Sequence, residues 1–238
     1  AMRFSNDNVL FWQDGQLLVN KVATDLKTSL DLDRSTRTLT LNDANISLNG
    51  ITFDVKGTLK RDTVRRALNV DIAYALHAPS LETVFNMIPE SVLKRESMEA
   101  RGSVKMEGDV KGWYGKQQMP AVTLKVQIDK ASAKYDKLPY GIDNFTADFY
   151  AFVDLMRKQP SYADLKIFHF QGAHTDILAD AKIMNLLEDP DITFNTKSKV
   201  DLTALAQAFP LQEGVTIGGD LEADLRLKCR LFSIKKQD

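Results

Sequence analysis

Hydrophobic and polar residues alternate along most of this chain. Ile51, Phe53, Val55 and Leu59 fall on one side of an extended segment, and Thr52, Asp54, Lys56 and Thr58 on the other. That is the signature of a strand with one apolar and one wetted face. The same period of two runs through Leu68, Val70, Ile72, Tyr74 and Leu76, through Val104, Met106 and Val110, and through Val122, Leu124, Val126 and Ile128. It returns in Phe145, Ala147, Phe149 and Ala151, in Leu165 and Ile167, and in Leu221, Ala223, Leu225, Leu227, Cys229 and Leu231. Clusters of turn formers separate the runs: Asp33-Arg34-Ser35-Thr36, Asn42-Asp43, Asn49-Gly50, Lys60-Arg61-Asp62, Lys137-Leu138-Pro139-Tyr140-Gly141 and Glu188-Asp189-Pro190-Asp191. Roughly a dozen strands at a spacing of about 8 to 12 residues predict a mainly β, antiparallel architecture.

Two segments carry a helical period instead. From Ser80 to Pro89, Leu81, Val84, Phe85 and Ile88 share a face, Ser80 offers an N-cap and Pro89 a stop. From Asp201 to Pro210 the pattern repeats with Leu202, Leu205, Ala206 and Phe209. Each predicts a short amphipathic helix that follows a strand-like run and precedes a glycine-led strand, at Gly102 and at Gly218-Gly219. The helices stand 121 residues apart (202 − 81, and 210 − 89). This is an internal repeat, with units at about 68–112 and 192–231. No Gly/Ser/Pro-rich linker divides the chain, so a single elongated β domain over 1–238 is expected, a fragment of a longer repeating chain in which each unit touches its neighbours.

Composition narrows the partners. The 238 residues include 31 basic and 32 acidic side chains, a net charge of −1, which removes the electrostatic basis for nucleic-acid binding. The longest stretch free of charge, Leu202 to Gln212, is far short of the ~18 to 20 residues that cross a bilayer. No basic, apolar, small-residue leader opens the sequence, and Ala1-Met2 reads as a cloning remnant. Any export or anchoring signal is therefore expected to lie outside it. Cys229 is the single cysteine, which excludes an internal disulfide and leaves the redox compartment open.

Reactive constellations are not evident. His77 is remote, and His169 and His174, five apart, point to opposite faces of a continuous strand. His174 and Asp176 share a face on that reading, but two ligands do not make a metal site. Cys229 alternates with leucines on an apolar face, where a thiol is inert. The glycine-flanked nucleophile, phosphate-loop and dinucleotide motifs are missing. Most carboxylates fall on polar strand faces or in turns, so no catalytic residue, cofactor or metal is expected. Lys60 to Arg66 is the one basic cluster; it reads as a solvated hairpin connection, with lipid headgroup contact as its functional alternative. Asn45-Ile46-Ser47 and Asn144-Phe145-Thr146 match the glycosylation triplet without supporting context.

The sheet itself remains. A continuous apolar face has to be covered, either by a second layer in a closed sandwich or by acyl chains on a curved, half-open sheet. Three blocks bear on the choice: Lys137-Leu138-Pro139-Tyr140-Gly141-Ile142-Asp143-Asn144-Phe145, Asn185-Leu186-Leu187-Glu188-Asp189-Pro190-Asp191-Ile192, and Val200-Asp201-Leu202 through Phe209-Pro210-Leu211 to Gly218-Gly219-Asp220-Leu221. In order and spacing they resemble the periplasmic region of AsmA family proteins, over most of the chain from about Leu68 onward. The resemblance implies a repeating β-groove, a curved half-tube of the bridge-like lipid-transfer superfamily. It also implies a periplasmic location, an N-terminal inner-membrane anchor, and a part in phospholipid transport and outer-membrane biogenesis or homeostasis. The anchor and further repeats are expected outside this sequence.

The resulting expectation is a non-enzymatic segment that holds phospholipid or another acyl-chain lipid in an apolar groove. The groove candidates are Val70, Ile72, Tyr74, Val122, Leu124, Val126, Ile128, Phe145, Phe149, Leu165, Ile167, Leu221, Leu225 and Leu227. The alternative is a closed-core scaffold that binds envelope assembly proteins through its edge strands.

Overall fold

A computed structural model describes residues 2–13, 16–87, 98–135, 139–208 and 216–231 of the chain. The strands are β1 (Met2–Gln13), β2 (Gln16–Asp33), β3 (Thr38–Leu48), β4 (Ile51–Asp62), β5 (Ala67–Ala78), β6 (Met98–Tyr114), β7 (Ala121–Tyr135), β8 (Ile142–Val153), β9 (Tyr162–Gly172), β10 (Thr175–Met184), β11 (Asp191–Asp201) and β12 (Asp220–Arg230). Helix α1 (Leu81–Met87) joins β5 to β6, and α2 (Leu202–Ala208) joins β11 to β12. All twelve strands form one sheet in sequence order, each antiparallel to the next. The mainly β, antiparallel reading with two short helices is therefore the architecture found. The sheet is open and uncurled, with β1 and β12 at opposite edges and 73% of the described residues in strands.

Strand length follows from the long alternating runs. The strands span ten residues in β10 to eighteen in β2, against a usual five or six. Where the alternation falters, the sheet absorbs an extra residue instead of ending. Asn42 and Asp43, expected to form a turn, sit inside β3 as a bulge, because Leu41 opposes Gly57 while Ala44 opposes Val55. The Asn42 amide donates to Asp31 Oδ2 at 2.5 Å, which occupies a side chain that would otherwise favour a turn.

Across from this bulge, Gly57 has a φ of +147°, and a Cβ there would run into the Asp71 carbonyl oxygen and lie 2.7 Å from Ile72 Cα. Both obstacles are backbone, so neither yields easily.

Both helices are capped as their sequences suggest. Ser80 Oγ accepts the Glu82 N–H at 3.2 Å at the start of α1. Asp201 Oδ1 accepts the Ala204 N–H at 2.9 Å at the start of α2. Ala204 is buried against Ala173 of the β9–β10 turn, with Tyr140 packed alongside. The Leu202 N–H donates to the Gly219 carbonyl at 2.9 Å, and the Gly219 N–H to Thr203 Oγ1 at 3.2 Å, which ties α2 to the start of β12. Helices α1 and α2 both link an odd strand to the next even one, at the same end of the sheet, six strands apart. Ile88, Pro89, Phe209, Pro210 and Leu211, together with Lys137 and Leu138, lie outside the described residues.

Gly57→Ala is expected to lower the free energy of unfolding by about 1–3 kcal/mol. The check is a reduced denaturant midpoint, with the native circular dichroism unchanged. A second expectation concerns Asp201. The Ala204 N–H, helped by the His174 hydrogen bond, holds its carboxyl below the usual carboxylate range. A depressed value means that the cap contributes fully above the unfolded pKa and is lost as pH falls through the lower, folded one. The Ala204 amide resonance should titrate with a midpoint below 3.8, and Asp201→Asn should abolish the titration while keeping the helix. A midpoint at 3.8 or above contradicts the cap.

Candidate functional site

Cross-strand register converts the alternation of single strands into a surface feature, because residues directly paired across an antiparallel ladder share a face. Phe4 pairs with Leu26, Leu26 with Ile46, Ile46 with Phe53, Phe53 with Leu76, and Leu76 with Met106. Met106 pairs with Val126, Val126 with Phe149, Phe149 with Leu165, Leu165 with Ala181, Ala181 with Phe194, and Phe194 with Leu227. One apolar residue from each of the twelve strands thus forms an unbroken stripe perpendicular to the strands. At the ordinary inter-strand spacing it is about 50 Å long.

The groove candidates take their places around this stripe. Val126, Phe149, Leu165 and Leu227 lie in it. Leu124 stands in the neighbouring row with Gly108 and Ala151, and Val122 in the next, with Val110 and Val153. Val70 and Ile72 of β5 share the face beside Leu59 and Gly57, and Ile128 pairs with Ala147. Phe145 opposes Phe170 and packs edge to face against Phe168, ring centroids 5.4 Å apart. Leu221 and Leu225 follow on edge strand β12, opposite Val200 and Thr196. Tyr74 extends across its partner Gly108, whose absent Cβ would lie 2.6 Å from the hydroxyl, and donates to the Thr123 carbonyl at 2.8 Å. Burial, and secondarily the charge of Asp109, pushes that hydroxyl above the ordinary tyrosine range.

Ile167 is the exception. In the pairing of β8 with β9, Phe149 opposes Leu165 but Asp148 opposes Ile167, so Lys166 is an extra residue that reverses the phase of the strand. Ile167 therefore lies on the polar face, 45% exposed, and Phe168 and Phe170 take the apolar positions instead. A uniform period of two puts Ile167 with Leu165; the bulge corrects this, and an isolated strand sequence carries no sign of it.

Among the described residues no second sheet lies over the apolar face. Among the described residues the buried hydrophobics are all Ala or Val, Val70 and Val200 being the largest. No described Leu, Ile, Phe or Met is buried. The accessible surface is 16,134 Å², against about 11,000 Å² for a compact chain of this mass. A single layer without a second sheet leaves more surface in contact with solvent than a compact fold does.

The opposite face is held by polar pairs in direct register. Lys125 Nζ meets Glu107 Oε1 at 3.1 Å, Gln127 donates to Asp148 Oδ2 at 3.1 Å, and Asn45 to Asp54 Oδ1 at 2.6 Å. Thr123 donates to Asp109, and Asn195 to Asp180 at 2.8 Å. The Arg230 guanidinium, 2.9 Å from Asp191, holds that carboxyl below its ordinary range. A shallow hollow of about 630 Å³ lies on this face over Ala73 and Ala75; of its four carboxylates, Glu107 is engaged by Lys125, Asp109 by Thr123 and Lys111, and Asp54 by Asn45, with Asp43 beside them.

Two of the three histidines, His169 and His174, each lie beside one carboxylate. His169 Nε2 lies 3.1 Å from Asp176, and His174 Nδ1 lies 3.4 Å from Asp201, so it is His169 and not His174 that meets Asp176. Among the described residues no three or more His, Cys, Asp or Glu side chains converge as a metal site. No described helix is long and apolar enough to cross a membrane. Cys229 stands at the apolar edge beside Ile192.

No family model, curated protein or solved structure matches the chain.

Proposed function

We propose that the chain is a non-enzymatic lipid-binding segment that holds the acyl chains of phospholipid along its apolar stripe. In this reading it works in the periplasm as part of an AsmA-like, inner-membrane-anchored protein and contributes to lipid transfer for outer-membrane biogenesis or homeostasis. The observation that carries the reading is the stripe: one apolar side chain from every one of twelve strands, on a face where no large described side chain is buried.

The physics favours hydrocarbon as the covering. Removing apolar surface from water is worth roughly 25 cal/mol per Å², so a tail laid across several strands leaves water readily. The stripe itself consists of aliphatic, thioether and phenyl side chains, without a hydrogen-bonding group to fix one position along it. A tail there is retained by area alone and is free to slide. The scaffold alternative needs a closed core, and among the described residues no second sheet lies on the apolar face.

Protein purified from cells and examined by native mass spectrometry is expected to carry phospholipid. The double substitution Val126→Asp with Phe149→Asp, which places charge in the stripe, should abolish that capture while the circular dichroism of the sheet is retained. Ile167→Asp, on the opposite face, should leave it intact. Lipid retained by the folded stripe variant, or lost equally in both variants, contradicts the reading.

A further inference from the structure

The apolar face ends, along one side of the sheet, at the connections from even to odd strands. Two of these, residues 63–66 between β4 and β5 and 115–120 between β6 and β7, flank a hollow of about 790 Å³. Arg61, Leu68 and Tyr114 stand in one cross-strand row there. Leu68 is in phase with Val70 and Ile72 along β5, so this row belongs to the apolar face. Leu68 and Tyr114 supply the apolar wall of the hollow, and Arg61, Arg66 and Lys116 surround it with the Thr63 hydroxyl.

Among the described residues the three cations have no acidic partner. Asp62, the acidic residue of the turn, is already occupied: its Oδ1 accepts the Val64 and Arg65 N–H groups at 2.9 and 3.0 Å, and its Oδ2 meets Arg65. Arg65 itself lies over the Trp113 ring, 4.6 Å from the centroid. Trp113 is in the row of Asn69, on the polar face, so Arg65 is directed away from the hollow. Arg66 holds a φ of +52°, a left-handed position that Gly or Asn fills at less cost. A long cation stands at this point where backbone preference favours a small residue.

We infer that the hollow is a headgroup site for an anionic phospholipid, with the phosphodiester among Arg61, Arg66 and Lys116 and the tails running over Leu68, Val70 and Ile72 toward the stripe. The wall decides between sources of phosphate. A free phosphate gains nothing from Leu68 and Tyr114, whereas an amphiphile satisfies the cations and the apolar wall together. The inference rests on the lipid-binding reading and adds to it the class of headgroup.

The test compares lysophosphatidylglycerol with lysophosphatidylcholine of the same tail, both below their micellar concentrations, by calorimetric titration of the full chain. The wild-type protein should bind the anionic lipid roughly tenfold more tightly, as expected for a few exposed charge pairs. The variant Arg61→Gln, Arg66→Gln, Lys116→Gln should bind both lipids alike, at the affinity the wild type shows for lysophosphatidylcholine. Equal wild-type affinities, or a preference that survives in the variant, overturn the headgroup site and leave the groove standing. Failure of the wild type to bind either lipid overturns the groove reading and the headgroup site with it. Inorganic phosphate that binds as tightly as lysophosphatidylglycerol, and is lost in the variant, marks a simple anion site and also overturns the inference.

Discussion

Register across eleven successive strand pairings is the constraint on which this molecule depends. In a sheet with a single layer no opposing sheet selects the faces, and a slip of one residue at any pairing would turn every side chain beyond it to the other side. The pairings nevertheless keep Phe4 through Leu227 in one row. They do so with the help of irregularities. The bulge at Asn42 and Asp43 lets Leu41 and Ala44 both face the apolar side, and the bulge at Lys166 brings Phe168 and Phe170 to that side while sending Ile167 to the other. These extra residues correct the phase of strands whose sequences would otherwise drift out of it.

A sheet of this kind cannot draw its stability from a conventional core. Its buried hydrophobics are small, and its larger ones pack sideways on their neighbours. What remains is the backbone ladder, cross-strand contact on the apolar face, and ion pairs and amide–carboxylate hydrogen bonds on the other. Each such pair contributes only a few tenths of a kcal/mol to about 1 kcal/mol, but they recur between most neighbouring strands. Edge strand β12 shows the limit of the arrangement: Leu221, Leu225 and Leu227 have a neighbour on one side only and are 43–50% exposed. Lipid tails would supply along the stripe the apolar contact that a second sheet supplies in a sandwich.

Much of this was legible in the sequence. Alternation identified strands such as β4, β5, β7 and β8 and assigned their faces, and Ser80 and Asp201 marked both helix starts, because period and capping are local properties. Register is not local, so neither the continuity of the stripe nor the phase reversal at Lys166 was visible. Asn42-Asp43 read as a turn because the same side chains serve turns and bulges, and only pairing with β4 tells them apart. The apolar run of β10, Ile177, Ala179, Ala181 and Ile183, escaped notice because alanine scarcely marks a face. The basic cluster at Lys60 to Arg66 was apparent as charge. Its division between the two faces, Arg65 over Trp113 and Arg61 with Arg66 at the hollow, required the fold.

The central claim is that hydrocarbon lies on the apolar face, along the stripe, and not on the opposite face of the sheet. Paramagnetic broadening of methyl resonances by a stearate carrying a nitroxide on its tail tests it most directly. The account predicts broadening of Leu26, Ile46, Leu76, Val126 and Leu165, with Ile167 and Leu178 of the opposite face unaffected. Broadening of both faces alike, or of neither, would contradict it.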